Sequence, residues 1–364
     1  MSEPALTVRA IRAVGVKVPM RYVLGTSAAA IREAPLLLVD VDTHEGITGH
    51  AWQFCYVDAA APAIARLLEA VLEITHDERI DPPAQWAQLA KHFRLIGVQG
   101  IVRMAMAMFD IACWDALAKA AAMPLVRYLG AEPRPLAAYN SNGLGLMPLP
   151  QLADEAEALL GGGFRAVKLR LGYPTLEEDV AALRAVRKRL PDGIAIPVDY
   201  NQALTVAEAI RRGRALESEG AYWLEEPIRH DDHAGCAQIA AALALPVQIG
   251  ENFSLVHDME RALAAGACDY VMPDLERIGG VTGWRVAAAL AAKHGIRMSS
   301  HLYPEVSAHL LAATPTAHWL EYVDWANPVL AEPLRIVDGH AVIPERPGNG
   351  LAWNADAVAR YRMP

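Results

Sequence analysis

Cysteine is scarce in this chain of 364 residues, and the four present, Cys55, Cys113, Cys236 and Cys268, form no CxxC spacing. That excludes a disulfide-stapled fold and a thiolate zinc site, and predicts reduced, mostly buried thiols. Positive charge is also in deficit: 33 Lys and Arg stand against 42 Asp and Glu, a formal net charge of −9. A nucleic-acid partner needs a basic face for its phosphates, so that class is set aside. No apolar run is long enough to span a membrane, because the Ala-rich stretches carry a charge every few residues. Met1–Ala10 lacks the apolar stretch of a signal peptide, and the reading is a soluble, cytoplasmic protein with no membrane partner. A GxGxxG fingerprint is missing too. Gly161-Gly162-Gly163 follows a helical pattern and precedes a strand-like one, which reads as a helix stop rather than a phosphate cradle.

What the chain does have is core material: 53% of it is hydrophobic and 21% charged, a balance that excludes disorder. Val8–Pro19 and Leu36–Val41 read as strands, and the small-residue segment Arg21–Glu33 between them reads as a long adaptable flap. Helical periodicity follows at Ala59–Ile74, Gln85–Phe93 and Gly100–Ala122. Strands followed by helices predict an α+β module. From about Pro135 short β-like runs alternate with Ala-rich helices: Ala166–Arg170, Ile196–Asn201, Tyr222–Glu226, Val247–Glu251, Tyr270–Asp274, Arg297–His301 and Trp319–Glu321. Repeated βα units predict an α/β fold, either a TIM-like barrel or a doubly wound sheet. The turn-rich tail after Asn327 is expected to fold back on the first module.

The decisive pattern lies at the end of each run: Lys168 and Arg170, Asp199 and Asn201, Glu225, Glu251, Asp274, His301, Glu321. In a barrel these ends converge on the mouth, where catalytic groups sit. Burying so many ionisable groups without partners would be very costly. Asp199, Glu225 and Glu251 fall on successive runs, and three crowded carboxylates call for a cation; hard oxygen ligands point to Mg²⁺, with Mn²⁺ as the alternative. Glu226 is expected to face away from Glu225 along an extended strand, in a supporting place. Asp274 beside His301 makes a general base, because the carboxylate fixes the tautomer and raises the basicity of the other ring nitrogen. Glu321, in an apolar run, is expected to have a raised pKa and to act as a neutral acid. His230-Asp231-Asp232-His233 resembles a metal cluster but reads as a solvated turn.

These residues, in this order, resemble the enolase superfamily and, within it, the mandelate racemase subgroup, with mandelate racemase itself as the nearest pattern. The specific stretches are Val198-Asp199-Tyr200-Asn201-Gln202, Trp223-Leu224-Glu225-Glu226-Pro227, Gly250-Glu251-Asn252, Met272-Pro273-Asp274, Arg277-Ile278-Gly279-Gly280, Ser299-Ser300-His301-Leu302 and Ala312 through Glu321. The resemblance implies an α+β capping domain at 1–130 with a lid loop near 20–33, a modified TIM barrel, (β/α)7β, at 135–326, and a segment at 327–364 returning to the cap. It implies Mg²⁺ on Asp199, Glu225 and Glu251, a small-molecule carboxylate as substrate, and Asp274 with His301 as base. It further implies Glu321 as enolate stabiliser, Asn201 and Ser141 against substrate oxygens, and a homo-oligomer. A base of this kind removes the α-proton of a 2-hydroxycarboxylate to give an enediolate, a pairing of His base and Mg²⁺ already known for the superfamily.

One position departs from the pattern. Mandelate racemase carries Lys-x-Lys on the second strand, its second Lys acting as base on the opposite face; here the run is Lys168-Leu169-Arg170. Neutralising an Arg of pKa roughly 12.5 at pH 7 costs about 7 kcal/mol, so Arg170 makes a poor base and a good fixed cation. One-base dehydration or isomerisation through His301 is the expectation. The alternatives are a racemase or epimerase in which Arg170 serves the second face, and a metal-binding relative without activity.

Overall fold

The computed structural model describes residues 5–27 and 30–363. Its first layer is an antiparallel sheet of β1 (Val8–Gly25), β2 (Ala30–Thr43) and β3 (Thr48–Phe54), with β2 in the middle. The run Ala34–Val39 at the centre of β2 is buried throughout, as a central strand with helices against it demands. Helices α1 (Ala60–Thr75), α2 (Pro82–His92) and α3 (Gly100–Ala120) follow. Helix α3 is buried nearly all round, because it lies between this sheet and the second half of the molecule. Gly49 on β3 makes that fit possible: a Cβ there would lie 1.8 Å from the Ala112 carbonyl oxygen. On its other side Asp110 of α3 accepts from the backbone N–H and hydroxyl of Thr282.

Beyond residue 135 come eight short parallel strands: β4 (Leu136–Asn140), β5 (Leu169–Arg170), β6 (Val198–Asp199), β7 (Leu224–Glu225), β8 (Val247–Ile249), β9 (Tyr270–Val271), β10 (Arg297–Met298) and β11 (Leu320–Tyr322). Strands β5 to β10 pair in sequence order, and β11 pairs with β4. Bridges from Asn140 to Val167 and from Met298 to Ala317 close the ring. Helices occupy each connection from β4 to β11, which gives the (β/α)7β barrel under an α+β cap. Local chemistry starts these helices where they begin. Thr175 forms a reciprocal capping box with Glu178, and Thr205 and Asp232 each accept from the first turn they precede. Asp232 and its neighbours are therefore a helix start rather than a metal cluster: Arg229 pairs with Asp231, and His233 meets Asp258 at 2.9 Å.

The flap is more regular than an open connection. The β1–β2 hairpin runs on past Pro19, with a register shift, to pair Leu24 with Ile31 and Gly25 with Ala30. Ala28 and Ala29 of the expected lid lie outside the described residues. Strands β3 and β4 were not among the expected runs. The tail forms a hairpin, β12 (Arg335–Val337) and β13 (His340–Val342), whose second strand pairs with the first half of β4. It then crosses back, and Met363 donates to the Gly15 carbonyl of β1 at 2.9 Å. Among the described residues no helix is long and apolar enough to cross a membrane, and all four cysteines are buried and unpaired.

Candidate active site and metal centre

Asp199 ends β6, Glu225 ends β7, and Glu251 follows β8 by two residues, so the barrel's register carries all three carboxylates to one mouth. One oxygen of each lies within 4.8 Å of the others. Burial, with Asp199, Glu321 and Glu251 nearby, pushes the Glu225 carboxyl up to about 8 against the pull of Lys168. Such a cluster fits a hard divalent cation, whose charge removes the reason for holding a proton there. Lys168 is buried beside it, its Nζ 2.7 Å from Glu225 Oε1, 2.8 Å from Glu321 Oε1 and 3.3 Å from Asp199 Oδ2.

His301 stands across the cavity. Its Nδ1 is 2.6 Å from Asp274 Oδ2, and Asp274 Oδ1 is held by the backbone N–H groups of Glu276 and Arg277. The ring's other nitrogen, Nε2, faces Glu251 at 3.4 Å and Glu321 at 3.9 Å. Burial opposes protonation of this ring, but Glu251, Glu321 and Asp274 outweigh it and push its pKa up to about 9. A cation held on Glu251 would weaken that hold and bring the ring's pKa back down.

Glu321 corrects one expectation. Burial alone would raise its pKa, but Lys168, His301 and a hydrogen bond from the Leu302 N–H (2.8 Å) bring it down to about 2. It is a carboxylate in an ion pair, not a neutral acid. The apolar run around it carried the burial signal but not the partner, which comes from β5, on the far side of β4 and distant in sequence. Glu226 corrects another: its φ of +37° ends the extended backbone, so the alternation of a strand no longer sets its direction. It turns back toward the cluster, accepts from Asn252 Nδ2 at 2.8 Å, and burial with Glu251 and Asp199 raises its carboxyl well above the usual range.

Arg170 is buried and lines the cavity, with both terminal nitrogens of its guanidinium committed to main-chain oxygens. It donates to the Gly143 carbonyl at 2.7 Å and to the Ser141 carbonyl at 3.2 Å from each terminal nitrogen, with Ser141 Oγ at 3.4 Å. Ser141 is fully buried and lies outside the cavity lining, so it holds Arg170 and does not face the cavity. Asn201 does line the cavity. Its φ of +45° turns the chain after β6, its backbone and side-chain N–H groups both bind Asp199, and its Oδ1 is buried with no partner among the described residues.

The cavity holds about 250 Å³. The sheet of the cap supplies Leu24 and Ile31 from the hairpin tip and Phe54 and Tyr56 from the end of β3; Trp325 and Leu302 complete an apolar wall. Arg21 and Arg32, the cations of the flap, are not in the lining. The tip docks on the barrel through the Gly25 carbonyl, which accepts from the Leu146 N–H at 3.2 Å, and through Ser27 Oγ, which donates to the Tyr200 carbonyl at 3.2 Å. A Cβ on Gly145 would lie 2.5 Å from the Gly25 oxygen, so only glycine admits this approach. Sequence reasoning missed Arg277, which donates to the Glu251 carbonyl at 3.1 Å and stacks 5.0 Å over the Tyr56 ring. Its place beside Asp274 in Asp274-Leu275-Glu276-Arg277 was the available signal.

Residues 8–130 match the family described as mandelate racemase / muconate lactonizing enzyme, N-terminal domain, and residues 151–357 match enolase C-terminal domain-like. The chain belongs to this family of the enolase superfamily. It is 32% identical to the L-talarate/galactarate dehydratase of Salmonella typhimurium over 90% of this chain and 82% of that one. It is 31% identical to the 3,6-anhydro-alpha-L-galactonate cycloisomerase of Streptomyces coelicolor over 92% and 93%. Among solved structures, an enolase from Bradyrhizobium complexed with magnesium and mandelic acid superposes with a TM-score of 0.95 at 38% identity over the full length of both chains.

Proposed function

We propose that this family member is a magnesium-dependent acid-sugar dehydratase or cycloisomerase that uses one base, His301. The observation that carries the reading is the asymmetry of the mouth. On one face His301 is oriented by Asp274 at 2.6 Å with Nε2 toward the cavity, and on the other Arg170 is locked onto main-chain carbonyls. Asp199, Glu225 and Glu251 are the residues to hold the ion, which when bound neutralises the substrate carboxylate and favours negative charge beside it.

The chain's own groups do the rest. His301 Nε2 takes the α-proton of a 2-hydroxycarboxylate, and the resulting imidazolium is steadied by Asp274. In dehydration that proton goes to the β-hydroxyl, which leaves as water; the enol then becomes a 2-keto-3-deoxy acid. Lys168 carries fixed positive charge beside Glu321, and the flap with Phe54 and Trp325 keeps water from the enediolate. Residues 1–130, 135–326 and 327–364 serve as cap, barrel and returning tail. The acid-sugar relatives favour that substrate class, while the mandelic acid of the Bradyrhizobium structure supports the finer likeness to mandelate racemase. A cytoplasmic setting agrees with four unpaired thiols, and exposed Leu95 and Ile96, 91% and 70% accessible, support a homo-oligomer.

The test is a panel of aldonic, aldaric and aryl hydroxyacids incubated with Mg²⁺ in D₂O. Dehydration or cyclisation with deuterium uptake at carbon is expected. Inversion at the α-carbon without loss of water would instead make it a racemase, and Arg170→Lys shows whether the Arg withholds that activity.

A further inference from the structure

Glu225 Oε2 receives two N–H donors from below, Trp223 Nε1 at 2.8 Å and Gln248 Nε2 at 3.3 Å, while Oε1 faces Lys168. Gln248 does not end the trail. Its Oε1 meets Ser299 Oγ at 3.2 Å, Ser299 Oγ meets His318 Nδ1 at 3.4 Å, His318 Nε2 meets Tyr222 OH at 3.3 Å, and Trp319 Nε1 meets that same hydroxyl at 3.4 Å. Gln248 and Ser299 are fully buried, and Trp223, Tyr270 and Trp319 pack around His318. Polar side chains therefore run through a barrel interior that apolar layers usually fill.

The two ends of this series fix every step between. With the cation held there Glu225 would be a charged carboxylate, which only accepts, and an indole N–H only donates. Gln248 must turn its NH₂ to Glu225, which leaves its Oε1 to accept from Ser299. Having given its proton to Gln248, Ser299 Oγ accepts, so His318 carries its proton on Nδ1; the Trp319 backbone N–H fills the remaining place on Ser299 at 3.4 Å. Bare Nε2 then accepts from Tyr222, whose oxygen accepts from Trp319. Each donor points toward the metal centre. A neutral His318 is what this arrangement needs, and burial, with Arg297 adding to it, lowers its pKa to about 4.

We infer that Gln248, Ser299, His318 and Tyr222 are positioning residues, a one-way hydrogen-bonded series from the barrel floor that holds Glu225 with Oε2 occupied and Oε1 turned to the mouth, where Lys168 and the cation meet it. This rests on the reading of Asp199, Glu225 and Glu251 as a magnesium site. Groups behind a metal ligand set its affinity by roughly ten- to a hundredfold, which gives the scale.

Two measurements on the full chain decide it. Imidazole ¹⁵N NMR of the wild type is expected to show His318 protonated on Nδ1 and bare on Nε2; the opposite tautomer overturns the series without any variant. Calorimetric titration with Mg²⁺ is expected to show about tenfold weaker binding in Ser299→Ala, where Gln248 loses the donor that orients it, with Ser299→Thr restoring it. Equal affinity in Ser299→Ala and wild type overturns the proposal while leaving the metal site intact. A wild type that binds no Mg²⁺ overturns the site reading itself.

Discussion

Two histidines lie at opposite ends of neighbouring barrel strands, His301 beyond β10 and His318 just before β11, and burial meets each in a different company. His318, on the floor, is surrounded by Tyr222, Trp223, Tyr270 and Trp319, and its pKa falls to about 4. His301, at the mouth, is more deeply buried, yet Glu251, Glu321 and Asp274 drive its pKa up to about 9. Desolvation lowers both; only the placed carboxylates reverse it. The floor is built to keep a proton off a ring and the mouth to put one on it. One fold thus holds two imidazoles shifted in opposite directions by what stands at the two ends of its strands.

The largest expected effect is at the mouth, from loss of His301, the proposed base. His301→Asn keeps the size of the ring's near edge and removes the proton acceptor, and a positioned base contributes about 10²–10⁴-fold. Deuterium exchange at the α-carbon is expected to fall by about that factor, with the circular dichroism spectrum and Mg²⁺ binding unchanged. Exchange at the wild-type rate would remove His301 from the mechanism.

Next in size is Lys168→Met. Breaking a buried ion pair by deleting one partner costs about 3–5 kcal/mol, since Glu225 and Glu321 keep their burial but lose their counter-ion. Thermal unfolding in EDTA is expected to show that loss, and saturating Mg²⁺ to recover part of it, because the ion neutralises the same carboxylates. A variant equally stable with and without Mg²⁺ would mean that Lys168 and the ion do not share a charge cluster.

Much of the mouth was readable from the chain because each functional group follows a β-branched or aliphatic run at the end of a strand: Val198 before Asp199, Leu224 before Glu225, Met298 three residues before His301. The first barrel strand was not, since Leu136-Ala137-Ala138-Tyr139-Asn140 has a helix former's composition and no ionisable end. Partners across the ring were equally hidden. Nothing near Glu321 in sequence announces Lys168, and nothing near Glu226 announces a left-handed backbone. The hydroxyl of Ser299 read as part of a family-like stretch, though its neighbours in space, Gln248 and His318, come from different strands. Pattern reports what a strand end carries; charge state belongs to the fold.

The smallest expected effect comes from the floor. His318 stays neutral in the folded chain down to about pH 4, while the unfolded chain takes up its proton near 6.5. Between those values the unfolded state binds more protons, so stability falls as pH falls, by roughly 1.4 kcal/mol per pH unit from this one ring. Other buried groups titrate in the same range, Asp110 and Glu305 each near 7 and with the opposite sign, so the whole-protein curve hides the contribution. Subtraction isolates it. His318→Gln removes the titrating ring, and the stability difference between wild type and variant, from urea midpoints at pH 7, 6 and 5, is expected to shrink steadily in the acid direction. Magnesium is expected to leave that slope alone, since the ion's charge sits at the other end of the strands. A difference independent of pH would mean that the fold leaves this ring's pKa unshifted, and one that grew in the acid direction would make the floor resemble the mouth after all.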